Sequence, residues 1–300
     1  MNQPKGTLLY CCLAVLIVAV WGSTFSATKI LIQNGMSPIG IFFIRFFMSY
    51  FFLLVVSLHQ IRANSWKDEG ILALSGVLGG TLYYWLQNTA LTMSQTTNVS
   101  FLLSFCPLIT IVLATLFFKD QHITRNILVG LVIALLGVGF VIFSGQHELH
   151  LSPKGDILAL LAAVSWAFYS QLIRPLTSRY SSIFMSRKAF FYGWVTAFFL
   201  FLQGDWRMDL GLLQRVDVLT NILYLTMFAS VFCYLAWNKI IQKLGPVRCA
   251  SFLYLDPFFS TIFSFIFMDE VMTPSLATGL VLIFSGVFVA QNNFFQKRNA

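Results

Sequence analysis

The chain of 300 residues is 58% hydrophobic and 10% charged, with a mean hydropathy of +0.78. Soluble domains are about half apolar and a quarter charged, so this balance excludes a soluble globular protein and predicts an integral membrane protein. The formal charge of +8 follows topology rather than a nucleic-acid surface: with the N-terminus inside, 14 of 19 basic residues fall on one side, and only Lys29, Arg45, Lys154, Arg207 and Arg215 on the other. That asymmetry places both termini in the cytoplasm, in a multi-pass protein of the plasma or inner membrane.

Hydropathy and breakers predict ten spans, near 7–33, 38–59, 70–91, 96–118, 124–145, 154–177, 182–203, 217–241, 246–268 and 274–295. Such runs cross about 30 Å of hydrocarbon. Asn34-Gly35 before Pro38, Asn64-Ser65, Ser144-Gly145, Ser152-Pro153, Gly204-Asp205, Gly245-Pro246 and Thr273-Pro274 mark the turns. The first span follows Lys5 as a secretory leader would. Its apolar run is too long for one and lacks a small-residue cleavage site, which keeps it as a mature helix.

On the first span, Trp21, Thr24 and Thr28 form a stripe at helical spacing. Lys29, Arg45, Arg174 and Arg187 lie near span ends, where long side chains reach the headgroups. Snorkelling is the favoured role; an inward Lys29 or Arg45 would instead favour an anionic substrate. Tyr84 and Asn88 share a face of the third span, as Tyr234 and Asn238 share one of the eighth. These faces suit a small zwitterion or aromatic solute, although interhelical hydrogen bonding is the slightly favoured role for the asparagines. Asn98, Ser100 and Ser104 add polarity to the fourth span, with serine bonding back to its own helix as the plain alternative. Trp166, Tyr169 and Ser170 repeat the first stripe on the sixth span. Trp21 and Trp166 stand too deep for interfacial anchors and are read as lining a cavity.

The ninth span carries Tyr254, Asp256 and Pro257, and the fourth carries Pro107. Proline removes a backbone hydrogen bond and bends a helix, which lipid tolerates where neighbours or a wet cavity satisfy the freed groups. Pro107 and Pro257 therefore predict hinges or kinks in cavity walls. Asp256 falls near mid-span, where a carboxylate costs about 3 kcal/mol. Facing inward and desolvated, it is a candidate proton carrier; a structural carboxyl that satisfies groups loosened by Pro257 is an equal alternative. The five cysteines lie in apolar runs without metal-ligand spacing to the four histidines, so no disulfide, metal or cofactor is expected. Gly76, Gly79, Gly80, Gly130, Gly137, Gly279 and Gly286 read as close-packing positions, not nucleotide loops.

The chain repeats itself. At an offset of 145, Leu13, Ala14, Leu16 and Trp21 meet Leu158, Ala159, Leu161 and Trp166; at 142, Arg45 meets Arg187. At 150, Tyr84, Asn88 and Pro107 meet Tyr234, Asn238 and Pro257, with Cys106 opposite Asp256; at 149, Gly130 and Gly137 meet Gly279 and Gly286. Two units follow, 1–150 and 151–300, each of five spans, and an odd number per unit makes the repeat inverted.

With these paired tryptophans, arginines and prolines, the acidic Asp120 and Glu270, and the glycine-bearing fifth and tenth spans, the chain resembles the EamA-type ten-span proteins of the drug/metabolite transporter superfamily. The resemblance covers nearly the whole chain. It implies a central cavity to which the first span of each unit contributes, and efflux of metabolites such as amino acids. The expected fold is an all-α integral membrane protein with ten transmembrane helices in two inverted five-helix repeats. The expected function is secondary active export of small metabolites by alternating access, with proton coupling through Asp256. Alternatives are an anionic metabolite, as in the sugar-phosphate branch of the same superfamily, or a passive channel. An embedded enzyme is disfavoured, because His59, His122, His147 and His150 lie at span ends or in loops. The expected partners are a small-molecule substrate and the lipid bilayer, without nucleic acid, for a monomer or homodimer.

Overall fold

The computed structural model describes residues 7–57, 61–94, 96–117, 124–143, 152–203, 210–268 and 274–291, and among them every regular element is helical. The first two helices, α1 (Thr7–Gln33) and α2 (Pro38–Val56), reverse at Gly35, whose φ of 92° suits a residue without a Cβ. Ser37 caps α2, its hydroxyl accepting from the Gly40 amide at 3.1 Å, and Pro38 occupies the first turn. Ser65 caps α3 (Trp66–Gly76) in the same way, with Asp68 and Glu69 in the first turn, where acids favour the helix dipole.

Two rods contain wide turns that the sequence analysis did not anticipate. Helix α3 runs through a π-helical segment, Val77–Leu82, into α4 (Tyr83–Met93). Later in the chain, α10 (Val216–Tyr224) runs through a π segment, Leu225–Phe232, into α11 (Cys233–Leu244). Between them lie α5 (Thr96–Leu103), α6 (Cys106–Phe117), α7 (Arg125–Phe143), α8 (Pro153–Ile173) and α9 (Ser182–Gln203). The chain closes with α12 (Pro246–Ala250), a 3-10 turn over Ser251–Tyr254, α13 (Leu255–Met268) and α14 (Pro274–Gln291).

The prolines act differently from expectation. Neither bends a continuous helix; Pro107 is in the first turn of α6 and Pro257 in the first turn of α13. A missing N–H is harmless there, because the first amides of a helix have no intrahelical acceptor. The break itself precedes each proline, at Ser104–Phe105 and at the 3-10 turn, and both prolines are buried.

Five helical stretches among the described residues are long and apolar enough to cross a membrane: Thr7–Gln33, Pro38–Val56, Val99–Phe117, Pro153–Leu176 and Val216–Leu244. Arg125–Phe140 and Ala277–Ala290 are shorter apolar helices. The outer surface is greasy, with Phe47, Phe51, Leu136, Phe140, Leu202, Phe284 and Phe288 all exposed, which suits acyl chains better than water.

Inside, α7 lies along α14 and α2 along α9; α1 packs on α11 and α13, while α8 packs on α4, α5 and α6. The α7–α14 pair meets backbone to backbone: a Cβ on Gly130 would fall 2.4 Å from the Gly286 carbonyl oxygen, and one on Gly286 would fall 2.4 Å from the Ala134 nitrogen. Small residues permit that approach where apolar burial gives no preference for helix over lipid.

Candidate functional site

An aromatic cluster fills the centre, drawn from α1, α4, α8 and α11. The Trp21 and Trp166 rings meet edge-on at 5.3 Å, Trp237 lies 5.0 Å from Trp21, and Tyr169 lies 5.0 Å from Trp166. Tyr234 joins both tryptophans, at 6.4 and 5.8 Å. Edge-on and tilted pairs at these separations place positive ring edges against negative ring faces.

The π segments fix these rings in place. Trp21 Nε1 donates to the Ala229 carbonyl at 3.0 Å, and Tyr234 Oη donates to the Gly79 carbonyl at 2.5 Å. A π turn disrupts the ordinary i to i−4 ladder and so releases carbonyls that side chains can claim. The two acceptors stand 150 residues apart, and each takes its donor from the opposite half of the sequence. Ser165 adds a third such bond, to the Leu78 carbonyl at 2.7 Å.

Beside the cluster is a cavity of about 30 Å³. That volume holds a water or two and is smaller than any amino acid. Its walls include the expected Trp21, Thr24, Tyr84, Trp166 and Asp256, together with Tyr83, Gln87 and Cys106, which were not selected as site residues. Cys106 and Asp256, paired by the repeat, thus face one space. Gln87 Oε1, Trp166 Nε1 and Asp256 Oδ1 are buried and have no hydrogen-bond partner among the described residues. Each unmet polar atom costs about 1–3 kcal/mol, so three at one cavity mark a place that a polar solute would stabilise.

Other expected residues serve the frame instead. Asn88 Nδ2 donates to the Pro38 carbonyl at 3.1 Å, tying α4 to the start of α2. Asn238 Nδ2 donates to Ser186 Oγ at 3.0 Å, while its Oδ1 accepts from Tyr169 Oη at 3.2 Å. Ser104 Oγ bonds back to the Phe101 carbonyl at 2.5 Å. Tyr254 is fully buried on the 3-10 turn, its hydroxyl without a partner among the described residues. The side chain of Asn98 lies outside the described residues, as do Asp120, Glu270 and the four histidines.

Arg45 and Arg187 overturn the snorkelling expectation. Each is only 3% exposed. Arg45 Nε donates to Ser230 Oγ, its Nη2 donates to Tyr84 Oη at 3.2 Å, and Cζ sits 4.5 Å above the Tyr84 ring. Arg187 donates to the Ser57 carbonyl and lies over Phe184. The reason is direction: these faces of α2 and α9 point at each other and at neighbouring rods, not at lipid. Lys29 also turns to protein, donating to the Leu91 carbonyl at 2.6 Å.

The N-terminal end of α3 is bolted to the region around α9. Asp68 accepts from Arg179 Nη1 at 2.9 Å and from Tyr180 Oη at 2.8 Å, and Glu69 pairs with Lys188 and Tyr192. Burial alone would raise the Glu69 carboxyl, but hydrogen bonds from Lys188, Tyr192 and the Ala63 amide, with the Lys188 charge, outweigh it and hold the group below the ordinary carboxylate range.

An all-helical protein with an apolar exterior and a polar-tipped aromatic chamber belongs to the integral membrane class. The model of the EamA-like transporter family matches residues 8–143 and again 153–291. The chain is therefore a member of that family, within the drug/metabolite transporter superfamily, and its class is transporter. It is 28% identical to the uncharacterized transporter YvbV of Bacillus subtilis strain 168, over 96% of this chain and 92% of the relative. An uncharacterized transporter of Archaeoglobus fulgidus is 27% identical, over 91% of this chain and 95% of its own length. A probable terminal-alkyne amino-acid exporter of Streptantibioticus cattleyicolor is 24% identical, over 95% and 94%. The crystal structure of another protein shares the fold with a TM-score of 0.73 at 16% identity, covering 96% of this chain and 97% of that one.

Proposed function

We propose that this protein is a secondary active transporter that exports a small metabolite such as an amino acid. It would work by alternating access between two inverted five-helix repeats, residues 1–150 and 151–300. The chain would cross the plasma or inner membrane ten times, with both termini cytoplasmic. Its partners would be the solute and the bilayer, as a monomer or homodimer.

The observation that carries the reading is a cavity walled by both halves, with Trp21, Tyr84 and Cys106 from one and Trp166 and Asp256 from the other. The helix contacts give further support, because they map onto themselves when the halves are exchanged. Helix α2 pairs with α9 and α7 with α14, while α1 touches α11 and α13 as its counterpart α8 touches α4 and the broken α5–α6. The discontinuous pairs α5–α6 and α12–α13 beside the cavity fit the architecture of carriers whose broken helices line a midplane site. The double match to one family model fits a duplicated unit. Export of an amino acid is supported by the relative described as a probable amino-acid exporter.

Asp256 is the proposed coupling group, since it presents an unpartnered oxygen in that cavity. Purified protein in liposomes, given a pH gradient and labelled amino acids, tests the scheme. Accumulation that requires the gradient is expected, and Asp256→Asn is expected to retain binding while abolishing driven accumulation. Simple equilibration, indifferent to the gradient, supports a channel instead; undiminished driven transport in Asp256→Asn removes that residue from the cycle.

A further inference from the structure

Arg45 is a buried cation with no ion pair among the described residues. Its guanidinium is held by two neutral hydroxyls, Ser230 Oγ on the π segment and Tyr84 Oη on α4. Only some of its donors are engaged, and arginine carries its charge permanently. A buried charge without a counter-charge is costly, and tying α2 to its neighbours asks only for a neutral amide. The expense makes sense where an anion arrives during function. Tyr84 is the link: its ring lies under the guanidinium and also forms part of the cavity wall. Asp256, with its unpartnered oxygen, lines the same cavity. Tyr84 thus stands between the buried guanidinium and the chamber that Asp256 lines.

We propose that Arg45, steadied by Ser230 and Tyr84, binds the carboxylate of the transported solute, and that the solute is a zwitterion of amino-acid size. The planar guanidinium matches a carboxylate with two parallel hydrogen bonds. In binding the solute, Tyr84 turns aside to open the guanidinium to the chamber, while the Ser230 hydroxyl keeps hold of Nε. The amine end meets the aromatic faces, which attract cations. This rests on the reading of the cavity as a transport site.

The test uses the full chain in nanodiscs. Standard amino acids at millimolar concentration are screened for thermal stabilisation, which mass action produces for any solute preferring the folded state. The best binder is then compared with its own carboxamide and with glucose 6-phosphate. The acid is expected to bind about ten- to a hundredfold more tightly than the amide, the range of a charge-assisted hydrogen bond. Arg45→Gln is expected to close that gap by weakening the acid alone, and Arg45→Lys to restore part of it. Equal affinity for acid and amide, no binding of any acid, binding of the sugar phosphate alone, or an acid preference that survives Arg45→Gln would each overturn the proposal. Should Arg45→Gln not fold, the acid-to-amide ratio of the unaltered protein decides.

Driven transport is scored separately. Gradient-dependent movement of a solute whose carboxylate is irrelevant refutes the Arg45 site and leaves the carrier standing. Tight acid binding without driven movement does the reverse.

Discussion

Gly79 measures how closely the two halves of the sequence approach each other. A Cβ there would stand 2.4 Å from atoms of the Tyr169 ring, whose hydroxyl donates to Asn238 at 3.2 Å. Gly79→Ala should displace the ring and weaken that bond, at a cost of about 1–3 kcal/mol. Thermal melts in detergent should show the drop. Gly139→Ala supplies the contrast: nothing lies within 4 Å of its Cβ position, and replacing a mid-helix glycine gains about 0.5–1 kcal/mol. At this scale the sequence identified residue types well and directions poorly. Trp21, Thr24, Tyr84, Trp166 and Asp256 were recognisable as polar or aromatic groups set in apolar runs, and all five reach the cavity. Arg45 was assigned to the headgroups because distance along a span shows depth but not facing, and its facing depends on where α4 and the second π segment lie. Gln87 and Tyr83 are just as polar or aromatic, but at the offset of 150 they meet Trp237 and Cys233, so the repeat gave no second copy to single them out.

Among elements, the tightest constraint is the crossing of α7 and α14. The Cβ position of Gly286 clashes with backbone, the Ala134 nitrogen at 2.4 Å, and backbone cannot swing away as a side-chain tip can. Gly286→Val should therefore fall at the severe end of overpacking, a loss of about 3 kcal/mol. Val281→Ala, on the outer face at 65% exposure, should change stability by less than about 0.5 kcal/mol. Unfolding in mixed detergent titrations compares the two. The glycine spacing made this contact legible from the sequence. The π segments were not, because no residue pattern marks them: Val77–Leu82 holds two glycines, while Leu225–Phe232 holds none. The prolines were legible as breaks, but which residue began the new helix depended on where the preceding turn frayed, at Ser104–Phe105 in one case and in a full 3-10 turn in the other.

For the molecule as a whole, the helices among the described residues follow the apolar runs, because lipid leaves the backbone little choice but helix. What the sequence could not supply was the bolt joining α3 to the α9 region, made of residues far apart in the chain. Glu69 belongs to it and precedes the apolar run of its rod. Its folded carboxyl sits below the ordinary value of 4.5. Its contribution is thus complete above that value and disappears as pH falls through the lower folded one. Melting temperature should decline in acid below about pH 4.5. Glu69→Gln should melt lower at neutral pH and decline less steeply in acid, as a melting series across the range would show.

A chamber with space for a water or two has a consequence for anything larger that enters it. The walls must move to admit such an occupant. Because Trp21 and Trp166 are among those walls, filling the chamber should change the surroundings of both indoles, and their fluorescence should report it.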